Sequence, residues 1–383
     1  MSWRETTLGE ITDLKRGFDL PKSQRLQGDV PVYSSSGITG SNSTAAVEGP
    51  CVITGRYGTI GEVFFSGGPC WPLNTALYST EFNGNNPRFI YYLLQTIPWQ
   101  GYTTASAVPG VNRNHVNLCP VKIPDRATQD AIVEVLDSIV DKIALNNRLN
   151  DYLEQLCQSL FDRFDNDENN LFVKVSDIAD VNPRRTLKKG EEALCIEMAD
   201  LSTTGAFPTD WRTKAYNGGV KFVNGDTILA RITPCLENGK AGYINFLEQD
   251  EVAFGSTEYI VLTSKGELPS EFFYFLARNE DFISYATAHM NGSSGRQRVS
   301  GADVGNYEVR MPSEKQVAEF KEIAGKAMRV ISASSIESRK LAQSRDALLP
   351  KLMSGEIDVS EVDLAAGSAR KVAHFGSWPS MER

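Results

Sequence analysis

"PVKIPDRATQDAIVEVLDSIVDKIALNNRLNDYLEQLCQSLFDRF", residues 120–164, decides the fold. A short β-forming run ends at Pro124, and a segment of helical period begins at once. Asp125 stands at the N-cap position. Apolar residues then recur at Ile132, Leu136, Ile139 and Ile143, and again at Leu149, Leu153, Leu156 and Leu160. Steps of four and three describe a coiled-coil seam, with one irregularity at Asn146 and Asn147. The spacing predicts a helix over 128–164, roughly 55 Å long at 1.5 Å per residue.

An apolar stripe of that length needs a partner, and the chain supplies one. "PSEKQ" (312–316) opens a second helical segment in which Ser313 and Gln316 form a capping box. Val317, Phe320, Ala324, Ala327, Ile331, Leu341 and Leu348 continue it, and Pro350 is expected to end it, giving a helix over 313–349. Its middle, "SASSIES" (332–338), is rich in small residues and weakly apolar. Two helices of equal length burying each other's stripes form an antiparallel pair.

The joint before each helix is part of a longer repeat. "PRFIYYLLQT" (87–96) matches "PSEFFYFLAR" (269–278), pairing Pro87 with Pro269, Tyr92 with Tyr274 and Leu94 with Leu276. "PVKIP" matches the end of "YEVRMP" (307–312), pairing Val121 with Val309 and Pro124 with Pro312. The preceding segments hold short Val/Ile/Tyr/Phe runs between Gly, Ser and Asn turns, which read as β-strands. The expected fold is α+β, globular–helix–globular–helix, with boundaries at 1–124, 125–166, 167–312 and 313–353, then a C-terminal segment and tail over 354–383. "NDENN" (166–170) is the expected surface joint.

Composition narrows the function. The chain has 383 residues, more than one comfortable domain, and 41% of them are hydrophobic. "MSWRETTLGE" has no signal-peptide pattern and no run of 18 apolar residues occurs, so a cytoplasmic protein is expected. Six scattered cysteines without a CxxC pair read as small buried side chains, and three distant histidines argue against zinc. Net charge is −9, yet residues 124–168 alone hold four basic against eleven acidic residues. The rest can still present basic faces.

"CVITGRYGTIGEVFF" (51–65) raises the question of a nucleotide cradle. It lacks the Lys-Ser/Thr of a P-loop, its spacing is not GxGxxG, and strand rather than helix follows. Its counterpart, "DTILARITPCLENGKAGYI" (226–244), keeps the strand–loop–strand shape without the glycines. Gly55, Gly58 and Gly61 therefore read as turn and close-approach glycines. No G-x-S-x-G elbow, HExxH or histidine-served nucleophile is present, and "NPRR" (182–185) is taken as a turn with two arginines. No catalytic centre is expected.

Two similar domains on long helices suit an extended partner that offers equivalent faces about one helical turn apart, as duplex DNA does. The cations recur accordingly. Lys15, Arg16, Lys22 and Arg25 lie in "LKRGFDLPKSQR" (14–25), and Arg184, Arg185, Lys188 and Lys189 in "NPRRTLKK" (182–189). Arg56, with Tyr57 beside it, and Arg231 follow matching strands. Arg113 and Asn114, and Arg296, Gln297 and Arg298, stand in polar loops before each long helix. Arg, Asn and Gln can pair with base edges, while lysines suit phosphates. The even alternative for Arg56 is a structural pairing with an acidic neighbour.

"GRYGTIGEV" (55–63) followed by "NTALYS" (74–79), the doubled proline–helix joint, and "LLPKLMSGEIDV" (348–359) resemble the specificity subunit of type I restriction–modification systems. The resemblance covers about residues 3–360; the first joint, "PDRATQ", departs from the family's Pro-Glu-Gln-like run, and the last 20 residues match nothing. It implies two target-recognition domains reading the halves of a split site in double-stranded DNA, with the helices as spacer and docking surface. It implies two methyltransferase (modification) subunits holding S-adenosylmethionine. It also implies restriction/translocase subunits using ATP and magnesium, with no cofactor and no metal in this chain. The competing reading is a non-enzymatic scaffold binding proteins through two β-rich modules.

Overall fold

The computed structural model describes residues 3–104, 110–266, 268–293 and 295–359, so the tail expected beyond 363 lies outside the described residues. The chain divides into two compact units: residues 1–140 with 343–383, and residues 141–342. Each contains one mixed α/β domain and parts of both long helices, Arg126–Asp165 and Glu314–Ser354.

In the first unit, strands Lys15–Arg16, Ala76–Ser79, Cys51–Gly55 and Val63–Ser66 form an antiparallel sheet in that order. A second sheet orders Gly37–Asn42, Val30–Ser34 and Trp71–Pro72, the last two parallel. Arg4–Thr7 pairs with Pro120–Ile123 beside the long-helix joint. The helix Pro87–Gln95 is capped by Asn86, whose side chain accepts from the Arg88 and Phe89 amides. Its Phe89, Ile90, Leu93 and Leu94 enter a core closed by Ile132 and Leu136 of one long helix and Leu349, Leu352 and Met353 of the other.

The second unit repeats this plan. Ala179–Val181, Tyr259–Ser264, Thr227–Ala230 and Ala241–Tyr243 form the antiparallel sheet. Arg212–Ala215, Glu192–Ile196, Ala253–Gly255 and Val220–Phe222 form the second, again with one parallel pair, Glu192–Ile196 with Ala253–Gly255. Phe172–Lys174 pairs with Glu308–Arg310. Here the helix Glu271–Arg278 and both long helices meet in an aromatic cluster, with Phe161–Phe272 ring centroids at 4.9 Å and Phe164–Phe320 at 5.9 Å. The repeat seen in sequence is thus a repeat of strand order.

The helix starts follow their caps. Asp125 Oδ1 accepts from the Thr128 amide at 3.0 Å, and the Ser313 amide donates to Gln316 Oε1 at 2.8 Å. The second helix does not end at Pro350; it runs through it to Ser354. A helical proline removes one hydrogen bond and costs about 3 kcal/mol. Burial of Leu352 and Met353 just beyond it offsets that cost, at roughly 1.5–3 kcal/mol for each large apolar side chain. Gly355, at φ +79°, is the residue that stops the helix.

The seam also differs from expectation. Leu149 and Leu156 are exposed, while Asn146 and Asn150 are buried between the helices. Asn146 donates to Glu337 Oε2 at 2.8 Å and to Ser338 Oγ at 3.2 Å, and Asn150 donates to Ser335 Oγ at 3.1 Å. Counted through both asparagines, positions 132, 136, 139, 143, 146, 150, 153, 157, 160 and 164 keep an unbroken four–three rhythm. The small residues of 332–338 supply hydroxyls to this polar layer, so no interruption of the pairing is needed.

Candidate nucleic-acid interface

The turn that follows strand Cys51–Gly55 positions the first group of side chains. A Cβ on Gly55 would lie 1.7 Å from the Thr59 carbonyl oxygen, and Gly58 and Gly61 hold φ of +82° and +95°. Glycine is required at all three by the backbone's own path. The turn thereby places Arg56 and Tyr57 beside the strand Gly110–Val111: the Val111 amide donates to the Arg56 carbonyl at 2.9 Å, and Tyr57 bridges to Gly110. The Arg56 guanidinium stacks over the Tyr57 ring at 4.5 Å, and one of its nitrogens donates to the Asn74 carbonyl at 3.4 Å.

Six of the sequence-selected residues converge here. Lys15, Arg16, Arg56, Tyr57, Arg113 and Asn114 line one open cleft of about 790 Å³ in the first unit. Lys15 and Arg16 reach it from the sheet edge, where Lys15 pairs with Glu81 and Arg16 lies 3.8 Å from Asp19. Arg113 and Asn114 begin the short helix Arg113–Val116, whose cap is Asn112: its side-chain oxygen accepts from the Asn114 amide at 3.0 Å. Sequence reading missed Asn112, although Asn directly before a helix start is a capping signal. Lys22 and Arg25 lie outside the cleft. Lys22 is exposed in a 3₁₀ turn, and Arg25 donates to the Thr39 carbonyl at 2.8 Å.

The second unit uses its cations differently. Arg185 donates to both carboxylate oxygens of the fully buried Asp226, at 2.7 and 3.1 Å, and to Thr263 Oγ1 at 3.1 Å. Burial raises the Asp226 pKa despite these donors. Arg298 forks onto Glu258, with contacts of 2.7, 2.8 and 3.0 Å, and holds the Glu258 carboxyl below its ordinary range. Glu258 was not singled out in the sequence, because its pairing with Arg298 spans 40 residues. Arg184, Lys188, Lys189 and Arg296 are exposed, and Gln297 accepts the Thr233 amide through its backbone carbonyl at 3.1 Å.

The backbone fixes which positions correspond. The Val299 amide donates to the Arg231 carbonyl at 3.0 Å, and Ile232 bridges to Arg298, as Val111, Arg56, Tyr57 and Gly110 do in the first unit. Arg298 therefore occupies the place of Gly110, and Gly301 that of Arg113. The two polar loops do not match cation for cation. The Arg56–Arg231 pairing does recur, at the same point of the same strand.

A family description, type I restriction modification DNA specificity domain, matches residues 1–155. The chain resembles the type I specificity subunits over those residues, about two fifths of its length. It is 20% identical to the HindI specificity subunit of Haemophilus influenzae, with 93% of this chain and 99% of that one covered. It is 24% identical to the EcoEI specificity subunit of Escherichia coli over 210 residues, which span 53% of this chain but 35% of that subunit. The crystal structure of a type I system S subunit from M. genitalium superposes with a TM-score of 0.64 at 15% identity, covering 92% of this chain and 96% of that one. Both of these curated relatives are named specificity subunits. Among the described residues no helix is long and apolar enough to cross a membrane, and all six cysteines are free, five of them buried.

Proposed function

We propose that this cytoplasmic chain reads a split site in double-stranded DNA, each unit contacting one half. The observation that carries the reading is the cleft of the first unit, where five donor side chains selected from the sequence converge with the Tyr57 ring and no carboxylate stands among the described lining residues. Arg and Asn side chains at such a surface pair with base edges, and lysine neutralises phosphate. The exposed cations Arg184, Lys188 and Arg296 of the second unit, together with Arg231 and Gln297, serve the other half. Arg185 and Arg298 act there by holding loops in shape.

The long helices join the two readers and dock two methyltransferase subunits. Leu145, Leu149, Tyr152 and Leu156, spaced by four, three and four residues, form an apolar stripe 42–60% exposed on the first helix. An outward stripe of this kind supports a protein partner. The partners hold S-adenosylmethionine and carry out adenine methylation, and separate restriction/translocase subunits use ATP and magnesium. Footprinting of the chain assembled with its methyltransferase partner is expected to show two protected patches around an indifferent spacer. One continuous patch, or none, overturns the reading.

A further inference from the structure

We infer that Arg56 reads the O6/N7 edge of a guanine in the half-site met by the first unit. The inference rests on the proposed DNA reading and goes beyond it by assigning one base to one side chain. The first unit's cleft offers hydrogen-bond donors almost exclusively. Lys15 and Arg16 already carry carboxylate neighbours in Glu81 and Asp19, and the Asn112 side-chain oxygen is committed to its cap. Arg56 and Arg113 have no ion pair among the described residues.

Of the two, Arg56 is pre-oriented. Its backbone amide donates to the Thr75 carbonyl at 2.9 Å and its carbonyl accepts from Val111, so the residue is fixed at both ends. Its guanidinium lies on the Tyr57 ring, which in turn rests on Gly110, where a Cβ would come within 2.4 Å of the ring. A planar fork held this way makes two parallel hydrogen bonds to two adjacent acceptors. In the major groove only guanine presents that pair; adenine offers one acceptor beside a donor, thymine a single acceptor beside a methyl group, and cytosine a donor.

Among the described residues the second unit lacks this arrangement. Ile232 stands where Tyr57 does, Arg298 replaces Gly110, and the Arg298 fork is closed by Glu258. The stacked arginine is therefore a property of the first half-site alone.

The test uses the full chain assembled with its methyltransferase partner, on the site found by sequencing methylated adenines in the source genome. Each guanine of the site is replaced in turn by 7-deazaguanine, which removes the N7 acceptor. At one position, in one half-site, affinity is expected to fall about three- to tenfold, because the O6 bond remains and only part of a good bidentate contact is lost. Arg56→Ala should bind native and 7-deaza DNA at that position equally, and Gly110→Ala, which displaces Tyr57, should do the same. If Arg56→Ala does not fold, the wild-type complex with the 7-deaza series decides alone. A wild-type complex that protects two patches yet tolerates 7-deazaguanine everywhere, or a first half-site without guanine, overturns this inference and leaves the split-site reading standing. A complex that binds no DNA overturns both.

Discussion

Arg185 and Arg298 look, in sequence, like any other arginine in a polar loop, and both are tied to carboxylates in the fold. For Arg185 the partner is a buried carboxylate, so removal of the guanidinium leaves Asp226 without its countercharge, held only by the Val223 amide and the Thr263 hydroxyl. Arg185→Ala is expected to destabilise the second unit by about 3–5 kcal/mol, read as a lower denaturant midpoint of the full chain. Any loss of DNA binding should track that unfolding. The Glu258–Arg298 pair is more exposed and its effect is best seen by pH. Because Arg298 lowers the folded-state pKa of Glu258 from its ordinary 4.5, the stabilisation is present above about that pH and lost as pH falls through the folded value. Glu258→Gln should therefore melt below wild type at neutral pH, with the gap closing in acid; a constant gap would mean that packing, not charge, is at stake. Residue type alone could not separate these arginines from Arg56, since the difference is set by partners distant in sequence.

At the scale of elements, the starts of both long helices were legible because caps are local, and the Pro87 and Pro269 repeat gave the helix that follows each hairpin. The course of the seam between residues 146 and 156 was not. Counting only apolar residues shifts the register onto Leu149 and Leu156, whereas counting the buried asparagines keeps it. Polar heptad positions are read only when the facing helix supplies partners, here the serines of 332–338. The displaced leucines then become surface. Replacing Leu149 and Leu156 together by serine should change the stability of the isolated chain by less than about 0.5 kcal/mol per site, as surface substitutions do. The same variant should weaken pull-down of the methyltransferase partner, and unchanged capture would remove the stripe from the docking surface. Pro350 was misread for a similar reason: a local helix breaker lost to burial of the residues after it.

At the scale of the whole molecule, the doubled strand order was legible from a repeat of a few residues, because proline–helix joints and hairpin glycines mark element boundaries. The convergence of Lys15, Arg16, Arg56 and Arg113 on one cleft was legible only as a recurrence of cations, since the strand Lys15–Arg16 pairs with residues 61 and 63 positions away and Arg113 comes from a separate helix. The division into units adds a last point. The first unit is assembled from residues 1–140 and from 343 onward, and Leu349, Leu352 and Met353 belong to its core. A stop codon just before residue 349 would therefore injure the core of the first unit rather than that of the second. Its hydrophobic interior would stay open to water until residue 353 had left the ribosome.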